Sequence, residues 1–170
     1  MSLPFDDSQL LSFLGLEPET SYLDLISRFR SIRPLFSTSN MDPLVTSCLA
    51  KVIVGRLEGK AVILSIHEHG VWATSEIPEL FHRVRRSQGF DKKVYECSGE
   101  IIDETEADYL LCLTACCLFS GWDFSLISMD NSVTFYASHD EDMIVDSPDP
   151  SLKEALVQEL LAFGLTIRGA

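Results

Sequence analysis

Apolar and polar positions alternate along this chain with two periods. In the first third the period is helical: Asp7-Ser8 opens a short helix that runs through Phe13 to Gly15, and Thr20-Ser21 opens a second with Tyr22, Leu25, Ile26 and Phe29 at helical spacing. Pro34 ends that helix. From Asp42-Pro43 to Glu58 an N-cap, a proline at the first helical position and apolar residues at 45, 48, 49, 52 and 53 predict a third helix, although Lys51-Val52-Ile53-Val54 also fits a strand. The branched apolar run from Ala61 to His67 predicts a buried strand, and Val71-Trp72-Ala73 another after Gly70. Ser75 caps a helix over Ile77–Ser87, with acids in its first turn and Arg83, Arg85 and Arg86 in its last, matching the helix dipole at both ends. A strand is expected at Lys93–Cys97 and a strongly apolar helix from Thr105 to Phe119. Strands follow at Trp122–Ser128, Ser132–Ala137 and Met143–Val145, the first two joined at Asp130-Asn131, and a last helix spans Pro150–Phe163.

This order predicts one α+β domain over residues 1–170, in which a small, mainly antiparallel sheet is packed with five to six helices. Residues 1–58 are mainly helical, 60–146 are mixed, and 150–164 form the C-terminal helix. At 170 residues and 46% apolar content the chain can bury a single sizeable core. Apolar runs are far shorter than the roughly 20 residues of a membrane span, and the start lacks a basic segment followed by an apolar one, so a cytoplasmic protein is expected. Five cysteines without a regular spacing agree with a reducing compartment.

Charge changes this picture most. The net charge of −13 argues against nucleic acid as a partner. Residues 94–152 hold thirteen acids and neither Lys nor Arg, while the rest of the chain is balanced at thirteen of each. If those acids share a face, they would dock a basic partner; if they scatter, they serve solubility.

The chemistry-bearing residues form no complete catalytic or metal motif. His67 and His69 share one face of a strand, but two ligands do not close a zinc site. Cys112 and Cys116 share a helical face beside Cys117, yet their apolar neighbours predict a reduced core. Asp140, Glu141, Asp142 and Asp146 are oxygen donors without the spacing or turn glycine of an EF-hand. No metal or cofactor is expected. The densest segment is Ser138-His139-Asp140-Glu141-Asp142, where consecutive side chains on an extended chain point to opposite sides and cannot converge as a triad.

The succession Gly70-Val71-Trp72, Leu80–Gly89, the acid-led helix Glu104–Phe119, Trp122-Asp123 and Ser138-His139-Asp140-Glu141 resembles a group of small bacterial proteins, some of which look like immunity proteins of polymorphic-toxin systems. The resemblance spans roughly residues 60–146 and implies a cytoplasmic non-enzyme that binds and blocks a cognate toxin; the acidic charge makes a basic one the expectation. The resulting expectation is an acidic protein-binding module with Trp122, Asp123, His139, Asp140, Glu141 and Asp142 as partner-binding residues. Two other readings stand beside it. One is a scaffold whose acids only keep it soluble, and the other is a small hydrolase with His139 as general base, Asp123 or Asp140 orienting it, and substrate near Trp122.

Overall fold

Strands whose residues are buried on both faces need covering layers on both sides of the sheet, and this chain supplies one from its first two helices and the other from the four that follow. A computed structural model describes residues 3–38, 41–67, 76–94 and 96–168. In chain order its elements are β1 (Leu3–Phe5), α1 (Asp7–Phe13), α2 (Tyr22–Ser31), β2 (Leu35–Ser37), α3 (Pro43–Gly55), β3 (Val62–Ile66), α4 (Glu76–Ser87) and β4 (Gly99–Ile102). They continue with α5 (Ala107–Ser120), β5 (Phe124–Ser128), β6 (Thr134–Ser138), β7 (Asp142–Asp146), α6 (Pro150–Phe163) and β8 (Thr166–Ile167). The strands form one antiparallel eight-stranded sheet in the order β1-β4-β3-β5-β6-β7-β2-β8.

The alternation inside β3 shows how the layers divide. Val62, Leu64 and Ile66 join Leu49 and Ile53 of α3, Phe81 of α4, Leu110 and Leu113 of α5 and Leu156 of α6 in one core. Ile63 points the other way, into a smaller core with Leu10 of α1 and Leu25 and Phe29 of α2. All five residues of β3 are therefore buried. Gly99 of β4 is crossed closely by its neighbours: a Cβ there would lie 2.8 Å from the carbonyl oxygens of both Leu64 and Phe5.

Local signals set most helix ends. Asp6, one residue before the expected cap, accepts the Gln9 amide and forms a capping box that opens α1. Ser21 and Asp24 do the same for α2. Asp42 caps α3, and Val52–Val54 are helical. Gly121 and Gly164 end α5 and α6 in left-handed conformations.

Three expectations change. No strand forms at Lys93–Cys97 among the described residues: the amides of Glu96 and Cys97 both bond back to the Lys93 carbonyl, the Glu96 carboxylate accepts the Lys93 amide, and pairing begins at Gly99, while Tyr95 lies outside the described residues. The sheet is larger than expected because β1, β2 and β8 are two or three residues long and pair only with distant segments, leaving no periodic signal. Cys112 is exposed, while Cys116 and Cys117 of the same helix are buried, and all five cysteines are free. The expected strand at Val71–Ala73, the Ser75 cap, Trp72 and His69 lie outside the described residues. No described helix is long and apolar enough to cross a membrane.

Candidate functional site

The loop between β6 and β7 concentrates the chemistry. Ser138 pairs with Asp142, so only His139, Asp140 and Glu141 connect the two strands. The Glu141 amide closes the turn onto the Ser138 carbonyl at 3.1 Å, and the Asp140 amide donates to the Ser138 hydroxyl at 3.2 Å. Glu141 itself has φ 60°. A three-residue hairpin of this type needs a left-handed residue after the turn, a place that glycine fills without steric cost and glutamate does not. The Glu141 carbonyl in turn accepts the Thr38 amide at 2.8 Å, tying the loop to the end of β2.

Asp123 fixes the loop from below. Its carboxylate is buried and accepts three donors: the His139 amide, the His139 ring at Nδ1 (2.8 Å) and the Tyr136 hydroxyl (3.3 Å). The far ring nitrogen of His139 lies 3.5 Å from Asp140. Behind Asp123, Tyr136 stacks on Phe29 with centroids 4.9 Å apart, and the buried His67 holds its Nε2 3.1 Å from the Ser125 hydroxyl. His67 is thus part of the smaller core rather than an open ligand.

Beside the loop is a cavity of about 310 Å³, at the lower end of the roughly 300–1,000 Å³ of small-ligand pockets. His139 and Glu141 stand on one side of it, and the last turn of α5 with Trp122 on the other. Neither Lys nor Arg lines it. Glycine 121 satisfies the helix carbonyls of Cys117 and Leu118, but those of Phe119 and Ser120 accept no hydrogen bond among the described residues. Trp122 is buried, with its ring edge-on to Phe81 and its indole N–H without an acceptor among the described residues.

Of the six residues expected to touch a partner, three are exposed: His139, Asp140 and Glu141. The other three are internal. Trp122 belongs to the larger core, Asp123 anchors the loop, and Asp142 is 6% exposed and paired with Arg168. The Glu141 carboxylate makes neither a hydrogen bond nor an ion pair among the described residues.

Several of the thirteen acids of residues 94–152 are paired, and others stand far apart. Bases from outside the segment reach four of them, pairing Arg85 with Glu100, Lys60 with Asp130, Arg168 with Asp142 and Lys153 with Asp146, while His139 engages Asp123. Asp103, Glu104, Glu106 and Asp108 stand at the start of α5, and Asp140 and Glu141 beside its end. Fourteen helical residues separate the two groups by about 21 Å, well beyond the ~8 Å screening length at physiological salt. They act as separate charges rather than one field.

The same dispersal applies to the oxygen donors considered for calcium. Asp142 and Asp146 are at opposite ends of β7, each held by a base. Among the described residues no group of three or more His, Cys, Asp or Glu side chains is arranged to hold a metal. Burial pushes the Cys116 thiol up to about 11, with the neighbouring Cys112 adding to the effect, so it is no nucleophile at neutral pH.

One polar centre gives no sequence signal. Arg85 and Glu100 form a fully buried pair at 2.8 Å, with Tyr109 donating to the other carboxylate oxygen at 2.6 Å and the guanidinium 4.0 Å over the Phe90 ring. Its members come from α4, β4 and α5, and Arg85 reads in sequence as one of three bases at a helix end.

No protein-family model, curated protein or solved structure matches this chain.

Proposed function

We propose that this protein is a non-enzymatic binding module that docks a basic protein through the β6–β7 loop; in the immunity-type form of this reading the partner is a basic toxin. The observation that carries the proposal is Glu141. It occupies a left-handed position at a cost of about 1 kcal/mol or more, where glycine would be relaxed, and its carboxylate, beside a cavity, has no partner among the described residues. Strain without an internal use is the pattern expected of a residue kept for contact with something else. The buried Asp123 holds the loop in one conformation, which reduces the ordering cost of docking.

Asp140 and Glu141 carry the charge in this reading. Asp142 does not, because Arg168 already pairs with it. The distribution of acids narrows the docking surface from a whole segment to one loop, since the group at the start of α5 is too distant to share its field.

The hydrolase reading gains the cavity beside His139, but the ring argues against it. Both nitrogens are turned to carboxylates, Asp123 at 2.8 Å and Asp140 at 3.5 Å, so the imidazole acts as a strut rather than as a base aimed at substrate.

Affinity capture from the native host tests the proposal. The wild-type chain should retain a basic protein that a D140K/E141K variant loses, while a D103K/E104K variant at the other end of α5 retains it. Equal retention by both variants would remove the β6–β7 loop from the interface.

A further inference from the structure

The loop presents a carboxylate, but the cavity behind it specifies more than negative charge. Residues that bear three kinds of acceptor line it from separate elements. Glu141 brings from the β6–β7 turn a carboxylate with no partner among the described residues. The end of α5 brings the carbonyls of Phe119 and Ser120, which accept nothing in the described structure and carry the negative end of a fourteen-residue helix dipole. Phe119, 46% exposed despite its size, lines the same space, and the buried Trp122 adjoins it. Among the described residues neither Lys nor Arg lines the space.

We infer that this cavity is a guanidinium pocket that receives an arginine side chain of the docked basic partner. The inference rests on the docking proposal and deepens it by naming the group recognised. Arginine fits better than lysine for reasons of geometry and hydration. A guanidinium has five donors spread in a plane, so it can address acceptors on two elements at once, whereas an ammonium is a compact and strongly hydrated point charge. A guanidinium also stacks on aromatic faces, and here the aromatic wall adjoins the acceptors. The volume of about 310 Å³ suits one long side chain rather than a folded segment.

The site divides its work. Asp123 and His139 hold the loop and are not contact groups in this scheme; Glu141 and the end of α5 are. Glu141 is therefore the informative residue to alter, because E141Q keeps the side-chain length and the backbone strain while removing the charge.

Nuclear magnetic resonance titration of the full chain with N-acetyl-arginine amide and N-acetyl-lysine amide tests the inference, with the Gly121 amide and the Trp122 indole as reporters. The arginine probe should produce a saturable shift at both, the lysine probe should bind at least about tenfold more weakly, and E141Q should weaken the arginine probe by about tenfold. A D130N variant, altered in the other hairpin turn, should bind it as the wild type does. Absence of a saturable shift, equal binding of the two probes, or indifference to E141Q would overturn the pocket. Failure of the pocket and failure of docking are separable. If D140K/E141K loses the captured partner while the arginine probe never binds, docking stands and the pocket falls. If the probe binds but capture ignores the loop, the partner's side chain is not the occupant and the inference is overturned.

Discussion

The two hairpin turns that flank β6 are built on one plan and put to different uses. Ser128-Met129-Asp130-Asn131-Ser132 and Ser138-His139-Asp140-Glu141-Asp142 each close by an amide three residues on bonding back to the serine carbonyl, at 2.7 Å and 3.1 Å. Each places the closing residue in the left-handed region, Asn131 at φ 54° and Glu141 at φ 60°. Asparagine tolerates that region through local hydrogen bonding, and glutamate does not. In the first turn the aspartate is neutralised: Lys60 pairs with Asp130, and the hydroxyl and amide of Ser132 donate to it. In the second, Glu141 is unpaired and a cavity opens alongside. The first turn is what a hairpin looks like when every choice serves folding. The second departs from that standard at Glu141, the residue on which the docking proposal rests.

The largest effect should come from what anchors each turn. Asp123→Ala leaves three donors without their acceptor, two of them on His139 and one on the buried Tyr136, and should cost about 3 kcal/mol in urea-unfolding measurements. Ser128, whose hydroxyl accepts the Ser132 and Val133 amides, serves the first turn more modestly, and Ser128→Ala should cost about 1 kcal/mol. Equal losses would break the contrast between the turns.

The next effect sharpens it. Glu141→Gly should stabilise the fold by about 1 kcal/mol in the same measurement while weakening capture of the basic partner, whereas Asn131→Gly should stay within about 0.5 kcal/mol of wild type. A stabilised variant with undiminished capture would show that strain and binding are unrelated here.

The smallest effect concerns pH. The Lys60 ammonium and the Ser132 hydroxyl hold the Asp130 carboxyl far below the usual carboxylate range. A folded-state value below the unfolded one, about 3.9, means that the pair's contribution is present above that pH and is lost as pH falls below it. Because the pair is partly exposed, Asp130→Asn should lower stability at neutral pH by about 0.5 kcal/mol, and the gap from wild type should close as the solution is acidified towards pH 2. A gap independent of pH would assign the loss to the Ser132 contacts instead.

How much of this was legible depends on the range of each interaction. The α+β class, the capped helices, β3 and the β5–β6–β7 meander follow from periods and caps within a few residues of one another. The residues of the β6–β7 loop stand out by their chemistry, and the Asp130-Asn131 turn by its residue types. What the sequence does not show is which of its chemically dense residues remain available. Asp142 reads like Asp140, yet a base twenty-six residues later, Arg168, closes on it. Trp122 reads as a surface aromatic, yet Phe81 packs edge-on against it. The short strands β1, β2 and β8 exist only because partners elsewhere in the chain offer an edge.

The sequence by itself determines a base-free acidic segment, a mixed helical and extended pattern, and a loop rich in polar chemistry. The tertiary structure decides that the acids do not act together. Charge is written locally, but its effect falls away within about one screening length, so the distance between the ends of α5 and the arrival of remote bases determine what remains. Glu141 stands in a strained turn beside a cavity with no hydrogen-bond or ion-pair partner among the described residues, a position that no local pattern specifies because the cavity walls come from segments far apart in the chain.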